Sequence, residues 1–127
     1  MKNIFNHIKT IILTTLMCWA SYEIQAQKST EIYIPLGKSP GVSAKYCVMG
    51  RVDVVNAANT TITVKQGTAG KTFNITKATV IYLDKSKLKL RNTKGSFSDI
   101  KPGALVEVKY KDNKPDGLIE WIKVQLE

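Results

Sequence analysis

Short alternations of apolar and polar residues dominate the chain from Tyr46 onward, and no segment there sustains a 3.6-residue period. Val48, Gly50, Val52 and Val54 fall on one face of a long strand, with Met49, Arg51, Asp53 and Val55 on the other. Asn56 to Asn59 reads as a turn, and Thr60 to Lys65 (TTITVK) as a β-branched strand with Ile62 and Val64 inward. The loop Gln66 to Gly70 is longer than a two-residue hairpin turn, and Lys71 to Ile75 returns with Phe73 and Ile75 in phase. Residues 47–75 therefore predict a three-stranded meander. Thr79 to Leu83 predicts another short strand. Beyond Asp84, Lys85, Lys87, Lys89 and Arg91 alternate with Ser86, Leu88, Leu90 and Asn92. An extended segment would set four positive charges on one face.

The strongest signature is Ser98 to Tyr110, SDIKPGALVEVKY. Ser98 and Asp99 can bond nearby backbone amides, Pro102 fixes φ, and Gly103 can take the positive φ that ends a turn. Ala104, Val106, Val108 and Tyr110 then share one strand face, with Leu105, Glu107 and Lys109 opposite. Lys111 to Gly117 is dense in turn residues, and Leu118 to Leu126 makes the closing strand. Its Ile122, Val124 and Leu126 lie on one face, Ile119 and Trp121 on the other. The expected fold is all-β, a barrel or sandwich over residues 46–127, with at most one short helical turn near Phe97 to Ile100. Residues 27–45 predict a leader: a short edge strand at Glu31 to Ile34, then a loop punctuated by Pro35, Gly37, Pro40 and Gly41. That leader is expected to cover an open end of the barrel, with a lid or binding segment as the alternative.

The first 26 residues have a different plan. Lys2 and Lys9 precede the largely apolar run Ile11 to Ala20, and the polar stretch SYEIQAQ follows. This is the layout of a secretory signal peptide, with cleavage expected after Ala26 and a second candidate site after Ala20. The apolar run is shorter than the roughly 20 residues needed to span a bilayer. Cys18 raises lipid attachment, but Met17 stands where a lipoprotein signal wants a small residue. The expected products are a signal peptide (1–26), a leader and loop (27–45) and one β domain (46–127), periplasmic or secreted, with no transmembrane span in the mature chain.

Charge and cysteine content narrow the partners. The chain carries 19 basic and 10 acidic residues; without Lys2, Lys9 and Glu23 of the first 26 residues, 17 remain against 9, a net +8. Such a surplus favours anionic surfaces: lipid headgroups, polysaccharide or an acidic protein, with nucleic acid disfavoured outside the cytoplasm. Lys85, Lys87, Lys89, Arg91 and Lys94 are the candidate anion-binding residues. The alternative is a solvated edge whose lysines block sheet-to-sheet aggregation. Tyr82, Phe97, Tyr110 and Trp121 are the nearby aromatics, with Tyr33 and Tyr46 further off, serving either core packing or ligand stacking. Cys47 is the one cysteine left after cleavage, so an intramolecular disulfide is excluded. It is expected to be buried, with intermolecular pairing as the alternative.

No catalytic, cofactor or metal residues are expected. The single histidine, His7, lies in the signal, so Cys47 and the serines have no imidazole base in the mature chain. Asp53, Asp84, Asp99, Glu107, Asp112, Asp116 and Glu120 are scattered singly and read as solvated surface groups. Neither a zinc spacing nor a phosphate loop is present.

Gly50-x-Val52, the TITV strand, Thr79-x-Ile81, the SDIKPGALVEV turn and strand, and Ile122-x-Val124 together resemble an uncharacterised bacterial family of small exported OB-like domains. The resemblance covers roughly Cys47 to Leu126 and implies a five- or six-stranded OB-like barrel in the cell envelope, with no known reaction. Ala104 stands where that family often has an acidic residue. Periplasmic copper chaperones of similar shape use His and Met ligands, which the mature chain lacks apart from Met49. The expected function is a non-catalytic binding module for an unknown envelope protein or glycan. The alternative is a basic domain that binds an anionic polymer such as polysaccharide, lipid headgroups or nucleic acid.

Overall fold

A computed structural model of the chain describes residues 30–127; the expected signal peptide, its cleavage sites and Cys18 lie outside the described residues. Seven strands form one sheet: β1 (Cys47–Asn56), β2 (Thr61–Gln66), β3 (Ala69–Asn74), β4 (Val80–Asp84), β5 (Thr93–Lys94), β6 (Leu105–Tyr110) and β7 (Ile119–Gln125). Their order is β3-β2-β1-β6-β7-β4-β5. Every pairing is antiparallel except β4 with β7. The all-β expectation and the meander of β1 to β3 hold. The strand count does not: the sheet is open with seven strands, because the two-residue β5, which no alternation announces, pairs with β4 at the edge beyond β7. More than one helical turn is present, since short 3-10 segments occur at Thr30–Tyr33, Ser86–Leu88, Phe97–Asp99 and Lys111–Asn113. The first of these replaces the edge strand expected at Glu31 to Ile34. None of the helices among the described residues is long and apolar enough to cross a membrane.

The sheet is strongly coiled. β3 and β6 stand three places apart, a separation of about 14 Å in a flat sheet. Yet the rings of Phe73 on β3 and Tyr110 on β6 lie 6.0 Å apart. The inner face thus closes over a single core that includes Val52, Ile62, Val64, Phe73, Ile81, Val106, Val108, Ile122 and Val124. Burying these β-branched and aromatic side chains is the main term holding the curl, at roughly 1.5–3 kcal/mol for each large one.

β1 makes the bend, pairing with β6 through Cys47 to Arg51 and with β2 through Arg51 to Asn56. At the crossover sits Gly50, where an added Cβ would lie 2.2 Å from the Lys65 carbonyl oxygen. Next to it the β1–β2 register slips between Val52 and Val54, leaving Asp53 as a bulge residue. The bulge reverses the alternation expected for this strand. Val54 is 51% exposed, and Val55 packs against the core in its place.

The Ser98 to Tyr110 stretch anchors this bend as its turn chemistry predicts. Gly103, at φ +89°, donates its amide to the Val52 carbonyl at 2.7 Å, and the Val52 amide donates to Ala104 O at 2.9 Å. Upstream, the Ser96 amide donates to the Asp99 carboxylate at 2.7 Å. The turn is thereby fastened to β1 before β6 begins.

Candidate functional site

Side chains opposite the core, on the outer face of β6, β7 and β4, are not solvated. Glu107, Lys123 and Asp84 are 0%, 1% and 1% exposed, which corrects the expectation that Asp84 and Glu107 are surface groups. Glu107 and Lys123 are direct cross-strand partners, and Tyr82 stands next to Lys123 on β4. What covers them is the leader. Lys123 Nζ donates to Ile34 O at 3.0 Å and Ser39 Oγ at 2.9 Å. The Leu36 amide donates to Asp84 Oδ2 at 2.8 Å, and the Gly37 amide donates to Glu107 Oε1 at 3.2 Å. Three buried charges from three adjacent strands therefore grip backbone groups of Ile34, Leu36 and Gly37 and the Ser39 hydroxyl. The leader lies across the outer sheet face, not over an open end of a barrel.

Trp121 completes this layer, with the Lys123 ammonium 4.6 Å from its ring centroid and the Tyr82 ring 6.5 Å away at an edge-on angle. Burial alone pushes the Asp84 carboxyl upward. Hydrogen bonds from the Ser86 side chain and the Leu36 and Ser86 amides, with the positive charge of Lys123, outweigh it and hold the group below the ordinary aspartate range.

Asp84 also founds the basic segment. Its Oδ1 accepts the Ser86 amide at 2.9 Å, while Asn92 Oδ1 accepts the Lys85 amide at 2.8 Å. Between these two side-chain clamps the chain makes a 3-10 turn, with Leu88 N and Leu90 N both donating to Lys85 O and Lys89 in the left-handed region at φ 56°. The extended strand expected for residues 85–91 is absent. Lys85, Lys87, Lys89 and Arg91 share a compact loop in place of a strand face, and Lys94 follows on β5. Leu88 and Leu90, which the alternation would turn inward, are 42% and 61% exposed.

At the other end of β7 lies a groove of about 500 Å³, lined by Lys71, Phe73, Tyr110, Asp116, Leu118 and Ile119 among others. Lys71 on β3 pairs with Asp116 of the β6–β7 loop, and its ammonium stands 5.2 Å from the Tyr110 ring centroid. The contact with Asp116, followed by the proximity of Tyr110, raises the Lys71 pKa above the ordinary lysine value. Asp112, Asn113 and Asp116 all take positive φ (54°, 56° and 64°), a region that Asp and Asn enter more readily than most residues. This curled loop carries Asp116 across the mouth of the coiled sheet.

The basic loop and the groove do not meet. Asp84 pairs in register with Gln125, whereas the groove borders Ile119, so about 20 Å of strand separates them. Tyr82, Tyr110 and Trp121 are buried and Phe97 is partly buried against the core, so none of these four gives the basic loop an open stacking face. Cys47, expected to be buried, is half-buried. Among the described residues no group of three or more His, Cys, Asp or Glu is placed to hold a metal ion. Sequence reasoning missed the buried charges and the leucines, and it attached no role to Lys71 or Leu118. Neither a family model, nor a curated protein, nor a solved structure matches the chain.

Proposed function

We propose that the chain is an exported, non-catalytic binding module built on an OB-like coiled sheet. Its ligand, an envelope glycan or a segment of an envelope protein, occupies the groove between β3 and the β6–β7 loop. The observation that carries the reading is the groove itself. It joins a cation and a carboxylate in an exposed pair, Lys71 with Asp116, to the bare side chain of Leu118, which is 61% exposed. A ligand with both polar and apolar faces has partners for each, and hydroxyl or amide groups can exchange into the Lys71–Asp116 pair at small cost because exposed pairs are worth only about 0–1 kcal/mol. The loop from Lys111 to Gly117 supplies one wall and β3 the other. An array of bacterial envelope oligosaccharides and peptides, probed with the protein and with Lys71→Ala/Leu118→Ser, tests this. Selective binding lost in the double variant supports the groove. Uniform background, or binding that the variant retains, refutes it.

A further inference from the structure

We infer that the Lys85–Asn92 loop is a membrane-docking element that seats on an anionic lipid bilayer, with Leu88 and Leu90 entering the boundary between headgroups and acyl chains. The inference does not rest on the groove. Among the described residues only six large hydrophobic side chains are exposed, and two of them stand two positions apart on this loop. Exposed cations surround them: Lys87, Lys89, Arg91 and Lys94 are all at the surface. Apolar side chains at the tip of a basic loop match the layering of a bilayer surface, where phosphates lie above hydrocarbon.

The loop is also ordered in advance. Its base is fixed by Asp84 on the Ser86 amide and Asn92 on the Lys85 amide, and its interior by two amides donating to Lys85 O. Docking therefore costs little backbone entropy, which favours binding through so small a contact. The alternatives fit less well. A polysaccharide or nucleic acid would gain from stacking surfaces, but Tyr82 and Trp121 on the adjoining strands are buried, and neither polymer offers a place for two leucines. The positive net charge of the chain without its first 26 residues, +8, adds long-range attraction to an anionic surface.

Leu90→Trp reports on the loop itself, whatever the rest of the chain does. On vesicles of mixed phosphatidylglycerol and phosphatidylcholine, the emission of the added tryptophan, taken against the unsubstituted protein, should shift to the blue and be quenched by lipids brominated on their acyl chains. Phosphatidylcholine alone and heparin should produce neither effect. Leu88→Ser/Leu90→Ser should weaken sedimentation with the mixed vesicles about tenfold or more. Each of Lys87→Glu, Lys89→Glu and Arg91→Glu should weaken it at least about fivefold. All these side chains are exposed, so an unchanged far-UV circular dichroism spectrum is expected and checks that each variant folds. An unshifted Leu90→Trp spectrum on the mixed vesicles overturns the inference, even if the protein sediments with them. So does retention on heparin together with vesicle binding indifferent to the leucines, which would indicate a purely electrostatic polymer site. Loss of glycan binding through Lys71 would leave all of these outcomes unchanged, so the two readings fail separately.

Discussion

Lys123→Met removes the ammonium from the buried layer and nearly preserves side-chain volume. Lys123 is 1% exposed and is the only cation among the fully buried side chains there, facing Asp84 and Glu107, which are 1% and 0% exposed. With methionine in place, Ile34 O and Ser39 Oγ each lose a donor, and two carboxylates stay buried without their cation. Glu107 is the more vulnerable, since one of its oxygens accepts the Gly37 amide and the other has no hydrogen-bond partner. Breaking a buried charge pair from one side typically costs about 3–5 kcal/mol. For a domain of this size that is a fall in Tm of about 15–25 °C, a large part of a typical stability of about 5–15 kcal/mol. Urea unfolding followed by tryptophan fluorescence and by far-UV circular dichroism measures the change. The triple variant Asp84→Asn/Glu107→Gln/Lys123→Met should recover a good part of the loss, because the cost arises from charge left uncompensated. A single-variant cost below about 1 kcal/mol, or a triple variant less stable than the single one, would refute the reasoning.

Three further outcomes follow from other parts of the fold. Because Asp84 has a depressed pKa in the folded chain, its stabilising contribution is complete above the ordinary aspartate value of about 3.9 and disappears as pH falls through the lower folded value. The protection of the Leu36 and Ser86 amides, taken relative to their intrinsic exchange rates, should therefore stay constant at about pH 5 and fall only below about pH 3.9, and Asp84→Asn should abolish that dependence. Gly50→Ala should cost more than the roughly 1–3 kcal/mol of ordinary overpacking, since its Cβ would meet backbone at 2.2 Å and no side chain can yield; denaturant midpoints decide. The bulge at Asp53 predicts that Val54→Asp changes stability by less than about 0.5 kcal/mol while Val55→Asp costs several-fold more, and equal effects would contradict the reversed alternation.

Local patterning made the inner face of the sheet legible. Ile62, Val64 and Phe73 alternate in β-branched or aromatic surroundings, and Pro102-Gly103 carries turn chemistry that the Gly103 to Val52 bond fulfils. The outer face was hidden for a physical reason. Glu107 between Val106 and Val108, and Lys123 between Ile122 and Val124, have the alternation of a strand wet on one side. Nothing near them in the sequence tells that residues 34–39 will lie across that side, because that contact spans 70 to 89 positions of chain. The basic segment misled differently, since KSKLKLR has a two-residue period without being a strand. A signal was present at its borders: Asp84 and Asn92 are residues whose side chains bond nearby amides and bend the backbone, and both do so here. The bulge at Asp53 had no such border, as one extra residue changes the pairing and leaves the composition alone.

The division of the molecule into a groove at the start of β7 and a lipid-facing loop at its end is tested most directly by amide NMR. The 15N-labelled protein would be titrated with bicelles containing phosphatidylglycerol. Resonances of residues 85–94 should move and broaden, with Leu88 to Arg91 foremost, while Lys71, Phe73 and Gly117 at the groove stay in place. Shifts centred on the groove, or a loop whose resonances do not move at all, would contradict the division.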